Sequence, residues 1–324
     1  MRRWIRAQRV LWCSLLAFVL AGAASAWAQD SLRVAVAQRG GWSTSVTELG
    51  IKQGFFAKRG VKIDLLYTDA SGEAIQSIIS GSIDVSVALG TGQVMGAFSR
   101  GAPLRIIGGA FTGANDILWY VPAKSPIKKL TDVKGNSFGY GATGSSTHLA
   151  ALSAIEQYKL DAKLIRTGGY AATLTQVMSG QCDVGWLAPP VGLKEEEAGQ
   201  IRIIGSGGDL AKFKNMTVRI IAANVHALET KKDQIARYMQ GYRDTLDWLY
   251  SGTDGVKLFS EVMKVPQKLA LRTRDGYFPK ERMSPDRVTD LQGAMADAIK
   301  FKLLPRPLSA GELKTLVQIP APIK

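Results

Sequence analysis

The 324-residue chain is short of the side chains that most often carry chemistry, with two cysteines, Cys13 and Cys182, and two histidines, His148 and His226. Cys13 falls inside the apolar run 10–22, so the chain beyond it holds Cys182 alone and cannot close an internal disulfide. Two isolated histidines with one cysteine are too few for a zinc site, and no metal is expected. Gly-Lys-Ser/Thr is absent, which excludes a Walker loop, and G-x-S-x-G is absent, which excludes a hydrolase elbow. No basic run carries aromatic residues, so nucleic acid is not an expected partner. Acidic residues are missing altogether before Asp30.

That acid-free opening has its own pattern. Arg2, Arg3, Arg6 and Arg9 precede the apolar run, which ends in Ala24-Ser25-Ala26 and Ala26-Trp27-Ala28, two A-x-A cleavage sites. A charged start, an apolar middle and a small-residue exit read as a cleaved signal peptide over 1–28. An uncleaved anchor is the alternative, and it fits a full bilayer span less well. The formal charge of +14, less these four arginines, leaves about +10, of which about +6 lies in 219–324. Both signs are interspersed there, which supports a mild attraction for anions or a membrane surface and no more. Roughly 300 residues at 46% hydrophobic can supply a core without covalent staples.

Short β-like runs alternate with helical ones. Strands are expected at 32–37, 61–67, 83–89, 104–110, 136–142, 162–167, 183–188 and 201–207, with helices at 47–59, 71–80, 91–100, 145–158 and 171–179. This βαβ alternation implies an α/β protein with parallel sheets covered on both faces. Beyond Glu229 the chain reads as helical almost to its end. "GEAIQSIISGSIDVSVALGTG" and "AATLTQVMSGQCDVGWLAPP" both run helix, Ser-Gly, Asp, buried strand, loop, which suggests two similar lobes. Ligands of open α/β sheets bind outside the carboxyl ends of the strands, so the post-strand loops hold the informative residues.

One such loop carries G-x-G-x-x-G at Gly139, Gly141 and Gly144. A dinucleotide site needs an acidic residue at the end of the next strand, and that strand ends in Thr167-Gly168-Gly169; Asp161 lies at its wrong end. No nucleotide or other cofactor is expected. What remains is Ser145-Ser146-Thr147 at a helix start, where free N–H groups and the helix dipole favour an anion, with plain N-capping as the alternative. Thr91-Gly92 opens a helix in the same way in the first block. His148 reads as a helix-surface or supporting residue, Cys182 as core packing, Glu195-Glu196-Glu197 as a solvated helix face, and Trp248 with Tyr250 as the packed side of a helix.

From about Leu32 to Ala223 the chain resembles the solute-binding proteins of ABC importers for nitrate, sulfonates and taurine, a group that includes thiamine-pyrimidine synthesis proteins. The resemblance lies in "ELGIKQGFFAKRGVKIDLLY", "ISGSIDVSVALGTG", "KKLTDVKGNSFGYGATGSSTHLAAL" and "MSGQCDVGWLAPP", in that order. It implies a type II periplasmic-binding fold, two α/β lobes joined by two crossing strands near 115–122 and 217–223. Lobe 1 would comprise 29–115 with 219–324, and lobe 2 would comprise 116–218. The ligand would lie between the loop Gln38, Arg39, Gly41 and Trp42, the turn Gly90-Thr91, the helix start Ser145, Ser146 and Thr147, and the loop Ala188-Pro189. Many relatives look to have Trp-Glu-Pro at that last loop; Ala188-Pro189-Pro190 departs from it, which implies a larger pocket and puts nitrate in doubt.

Arg39 is the expected anion-binding cation, an exposed loop charge being its alternative, and Trp42 is either an apolar wall or a lobe-surface residue. The function so implied is capture of a small organic anion, sulfonate, taurine-like or carboxylate, by a periplasmic monomer that delivers it to an inner-membrane ABC permease. No catalytic residue is expected. A ligand-sensing receptor is the alternative, followed by an enzyme of the same fold, a pyrimidine synthase or desulfinase, for which the His and Cys-rich segment or nucleophilic cysteine is lacking.

Overall fold

The computed structural model describes residues 30–323, and the export segment expected over 1–28 lies outside them. Among the described residues the strands are β1 (Asp30–Ala37), β2 (Val61–Thr68), β3 (Val85–Gly90), β4 (Leu104–Thr112), β5 (Leu118–Pro122), β6 (Lys134–Tyr140), β7 (Asp161–Arg166), β8 (Gly185–Leu187), β9 (Ile201–Ser206) and β10 (Thr217–Asn224). The helices between them are α1 (Val46–Lys52), α2 (Phe55–Lys58), α3 (Ser71–Ile79), α4 (Thr91–Ser99), α5 (Ser146–Tyr158), α6 (Tyr170–Met178) and α7 (Leu193–Glu197). After β10 come α8 (Val225–Thr230), α9 (Lys232–Tyr250), α10 (Asp254–Met263), α11 (Gln267–Tyr277), α12 (Leu291–Lys300) and α13 (Ala310–Leu316). The eight expected strands all form. The expected helix 47–59 is broken by Gly54, whose φ of 75° no continuing helix allows.

The first sheet has the order β2-β1-β3-β10-β4. β1 and β3 are parallel, whereas β10 runs antiparallel to both β3 and β4. In the second sheet β5 lies antiparallel between β8 and β9, and the parallel pair β6-β7 joins β8 through the Gly139 N–H, which donates to Val184 O across 2.7 Å. The expectation of parallel sheets therefore holds only for the βαβ units. β10 reaches the first sheet from the second rather than through a crossover helix, so it enters from the opposite end. The chain passes between sheets at 113–117 and 207–216, and the segments expected to cross are strands within one sheet each: β5 in the second, β10 in the first. Contacts are continuous from Ser31 onward as one unit, so the two halves are distinguished by their sheets.

β3 and β10 are buried along their whole length, as central strands covered on both faces must be. The long helix α9 buries Ile235, Tyr238, Met239, Tyr242, Leu246 and Leu249, a stripe at helical spacing that faces α1 and α2. Phe56 stacks on Tyr238 at 5.2 Å in a slot left by Gly50 and Gly241, where an added Cβ would stand 2.6 Å from its ring. Burial of that ring contributes about 2–3 kcal/mol, and Gly241→Ala would expel it.

The internal echo is structural. Asp84, after α3, accepts the N–H of Arg33 at 2.9 Å, and Asp183, after α6, accepts that of Ser137 at 2.7 Å. Each carboxylate thus ties the strand that follows its helix to the neighbouring parallel strand. The Ser-Gly before it turns through a left-handed glycine, Gly81 at φ 73° and Gly180 at φ 78°.

Candidate functional site

A cavity of about 30 Å³ lies where the carboxyl ends of the strands of the two sheets meet. The first sheet contributes Ala37 and Gln38 after β1, Thr44, Ala70 and Ser71 before α3, and Ala88 and Gly90 at the end of β3. The second contributes Ala142, the α5 start Ser145–Thr147, and Tyr170. One lining residue is charged, and it comes from β10: Arg219.

Arg219 is buried, and its Nη2 donates to Asp116 Oδ2 at 2.5 Å. Its guanidinium also lies over the Phe111 ring at 4.9 Å. Nε of Arg219 and Oδ1 of Asp116 are buried without a partner. Burial pushes the Asp116 carboxyl up, and the adjacent Arg219 guanidinium opposes that rise.

The backbone around Arg219 is irregular on both sides. Against β3 the register slips between Ile220 and Ile221, leaving Ala88 as the extra residue with φ 66°; against β4 it slips between Thr217 and Arg219. Bulges re-aim side chains in this way near functional sites. Gln38, also on the cavity, has φ 65°, and non-glycine residues hold that region only where the surroundings enforce it.

The start of α5 lines the same cavity as Arg219. The Oγ of Ser145 accepts the His148 N–H at 3.4 Å, and the Oγ of Thr147 accepts that of Gly141 at 2.9 Å. Those hydroxyls are occupied in holding the turn. The first-turn N–H groups of Ser146 and Thr147 have no acceptor within the helix and stand at its positive end. His148 turns back on its own loop: its Nδ1 accepts the Gly144 N–H at 3.0 Å, its ring packs on Tyr140 at 4.3 Å, and burial pulls its pKa down. Tyr170 is set by packing on Trp186 at 5.0 Å, and burial holds its phenol above the ordinary range, so it stays protonated.

Of the residues expected around the ligand, Gln38, Gly90, Ser145, Ser146 and Thr147 line this one cavity. Gly41 backs it, since a Cβ there would stand 3.4 Å from the Tyr170 hydroxyl. The others stand elsewhere. Trp42 is fully buried against Phe259 at 4.8 Å, with its indole N–H on Tyr250, because the loop after β1 turns inward before α1. Thr91 is buried and donates its hydroxyl to Thr217 O at 2.6 Å. Arg39 points to solvent and is held by Glu48 at 2.8 Å, on a groove of about 660 Å³ that shares Gln38 and Tyr170 with the cavity. Ala188 and Pro189 are buried beside it in the chain; from their loop it is Val191 that reaches the groove.

Glu195-Glu196-Glu197 is not merely solvated: Glu196 and Glu197 pair with Arg272 at 2.9 Å and Lys268 at 3.3 Å on α11. Cys182 is buried in the second sheet's core and donates its thiol to Val184 O at 3.2 Å. Arg219, Ser71 and Thr44 lie outside the post-strand loops that the sequence marks, whereas Tyr170 closes one of them, Gly168-Gly169-Tyr170. The signal for Arg219 was there, a single arginine inside the otherwise apolar run TVRIIAA. Among the described residues, no group of three or more His, Cys, Asp or Glu could hold a metal.

A family model described as NMT1/THI5 like matches residues 48–253. No curated protein matches the chain by sequence. Among solved structures, the alkanesulfonate-binding protein SsuA of Xanthomonas axonopodis pv. citri, bound to MOPS, is similar with a TM-score of 0.71 and 20% identity, over 85% of this chain and 94% of that one. The periplasmic aliphatic sulphonate binding protein SsuA from Escherichia coli has a TM-score of 0.67 and 19% identity, over 91% and 94%. The desulfurization enzyme DSZB has a TM-score of 0.67 and 15% identity, over 90% and 96%. At these identities the likeness is one of fold, the α/β fold of periplasmic binding proteins.

Proposed function

The chain belongs to the NMT1/THI5-like family, and on that premise we propose that it is a solute-binding protein that holds a small organic anion between two lobes. The observation that carries this reading is the convergence of the Arg219 guanidinium and the free N–H groups of α5 on one cavity. A buried cation and a helix N-terminus both favour negative charge, and hydrogen bonds from ionised donors are the strong ones. We take the lobes as 29–115 with 219–324, and 116–218, a reading that the separation of the strands into two sheets supports, although β10 of the first sheet begins at Thr217.

Sulfonates are the first ligands to consider, because two of the similar structures are sulfonate-binding proteins by name. At about 30 Å³ the cavity has room for little more than water-sized groups, so entry and exit of an organic anion require the lobes to part. Binding without turnover is supported by the lining: hydroxyls, backbone amides and one guanidinium, with the Cys182 thiol spent on Val184 and His148 on Gly144. An organic anion held in this way is cargo for an inner-membrane ABC permease, and the signal-like segment 1–28 would place the protein in the periplasm. Calorimetry with a panel of sulfonates and carboxylates, followed by product analysis, tests the reading. Saturable binding of an unaltered anion is the expected result; a turned-over compound or a set of cationic ligands overturns it.

A further inference from the structure

The charge that surrounds the cavity is smaller than the presence of a buried arginine suggests. Arg219 is the charged residue of the lining, and it is already paired, at 2.5 Å, with a fully buried carboxylate on the passage between the sheets. Removing two such charges from water is costly, and the arrangement leaves Asp116 Oδ1 and Arg219 Nε without partners. A site meant only to hold Arg219 in place could have used a neutral acceptor, such as the carbonyls that bind Arg202 from Ser125 and Ile127 at 3.2 Å. With Asp116 present, the guanidinium offers direction and hydrogen-bond donors but little net charge.

We propose that Asp116 makes the cavity selective for monoanions over dianions. The inference rests on the reading of this cavity as an anion site. With the Arg219–Asp116 pair neutral, the positive potential left is that of the α5 N-terminus, equivalent to roughly half a charge. One negative charge is matched by that field together with the donors of Arg219, Tyr170 and the Ser146 hydroxyl. A second negative charge has no buried counter-charge, and it stands close to the Asp116 carboxylate. Sulfonates and carboxylates satisfy this condition; sulfate and the phosphate dianion do not.

The experiment compares methanesulfonate with sulfate, two tetrahedral anions of nearly the same size that differ by one charge. Calorimetry on the wild-type protein should give methanesulfonate at least about tenfold tighter binding, since an uncompensated buried charge is strongly disfavoured. Asp116→Asn keeps the shape of the side chain and should raise sulfate affinity at least about tenfold relative to methanesulfonate. Sulfate binding the wild type as tightly as methanesulfonate overturns the inference and leaves the anion site standing. So does a folded Asp116→Asn variant with an unchanged ratio. Failure of both probes to bind the wild type removes the anion site itself, and the inference with it. Should Asp116→Asn not fold, the wild-type ratio alone decides.

Discussion

The indole N–H of Trp42 donates to the Tyr250 hydroxyl across 2.9 Å, and the Tyr250 hydroxyl in turn donates to the Phe278 carbonyl. Residues 208 positions apart in sequence are so joined, and the loop after β1 is pinned to the C-terminal helices. Trp42→Ala should cost about 3–5 kcal/mol of stability by urea titration, the usual range for a buried aromatic, and Trp42→Phe about 1 kcal/mol for the lost hydrogen bond. Both should leave ligand affinity within a few-fold. A folded Trp42→Ala protein of near wild-type stability that no longer binds would return this residue to the ligand wall.

Arg219→Gln should lower anion affinity by about 100-fold, because it removes the charged donor of the cavity. It should also destabilise the protein by about 3–5 kcal/mol, since Asp116 is left buried and unpaired. Adding Asp116→Asn should recover most of the stability and none of the binding. Thermal melts beside calorimetry separate the two effects; a double variant that binds like wild type would remove Arg219 from the ligand's partners.

Ser146 opens α5 on the cavity, and its hydroxyl makes no hydrogen bond to the described residues. Ser146→Asp puts a carboxylate where the anion should sit, and affinity should fall by about tenfold or more. Stability should hold, because an acidic residue in the first turn suits the helix dipole. Ser146→Ala keeps the backbone donors and should change affinity less than about threefold. If Ser146→Asp binds as well as wild type, the helix start is a cap and nothing more.

Acid should loosen the first sheet through Asp84. Burial pushes this carboxyl up, but hydrogen bonds from Arg33 and from Lys231 at 2.8 Å outweigh it and hold its pKa below the ordinary range. A depressed folded pKa contributes stability that is present above the unfolded value, about 3.9, and is lost as pH falls through the folded one. Asp84→Asn should therefore cost about 1.5–3 kcal/mol at pH 7, with the difference from wild type closing below about pH 4. Urea midpoints of both proteins from pH 7 downward measure it, and a difference that is constant with pH would show that the charge is not what matters at Asp84.

What was legible in the sequence was local. Alternating apolar runs, the Ser-Gly-x-x-Asp echo and the Ser145–Thr147 helix start depend on near neighbours, and each is found where its residues stand. The family resemblance extended this to the fold. Gln38, Gly90 and Ser145 to Thr147 line the cavity because the ends of strands and the starts of helices are set by the βαβ unit itself.

Burial was not legible. Arg39 and Trp42 are three residues apart in one loop, and which of them faces the ligand is not written in their spacing. The tertiary structure turns Trp42 onto α10 and gives Arg39 to Glu48 and solvent. The cavity's cation is Arg219, 103 residues from the carboxylate that holds it, on a strand that is otherwise mostly apolar. An arginine can be buried only where a partner is brought to it. That partner arrives through the passage between the two sheets, so the local sequence could determine the strand and the helix start, while only the packing of one half of the chain on the other could decide which charge they share.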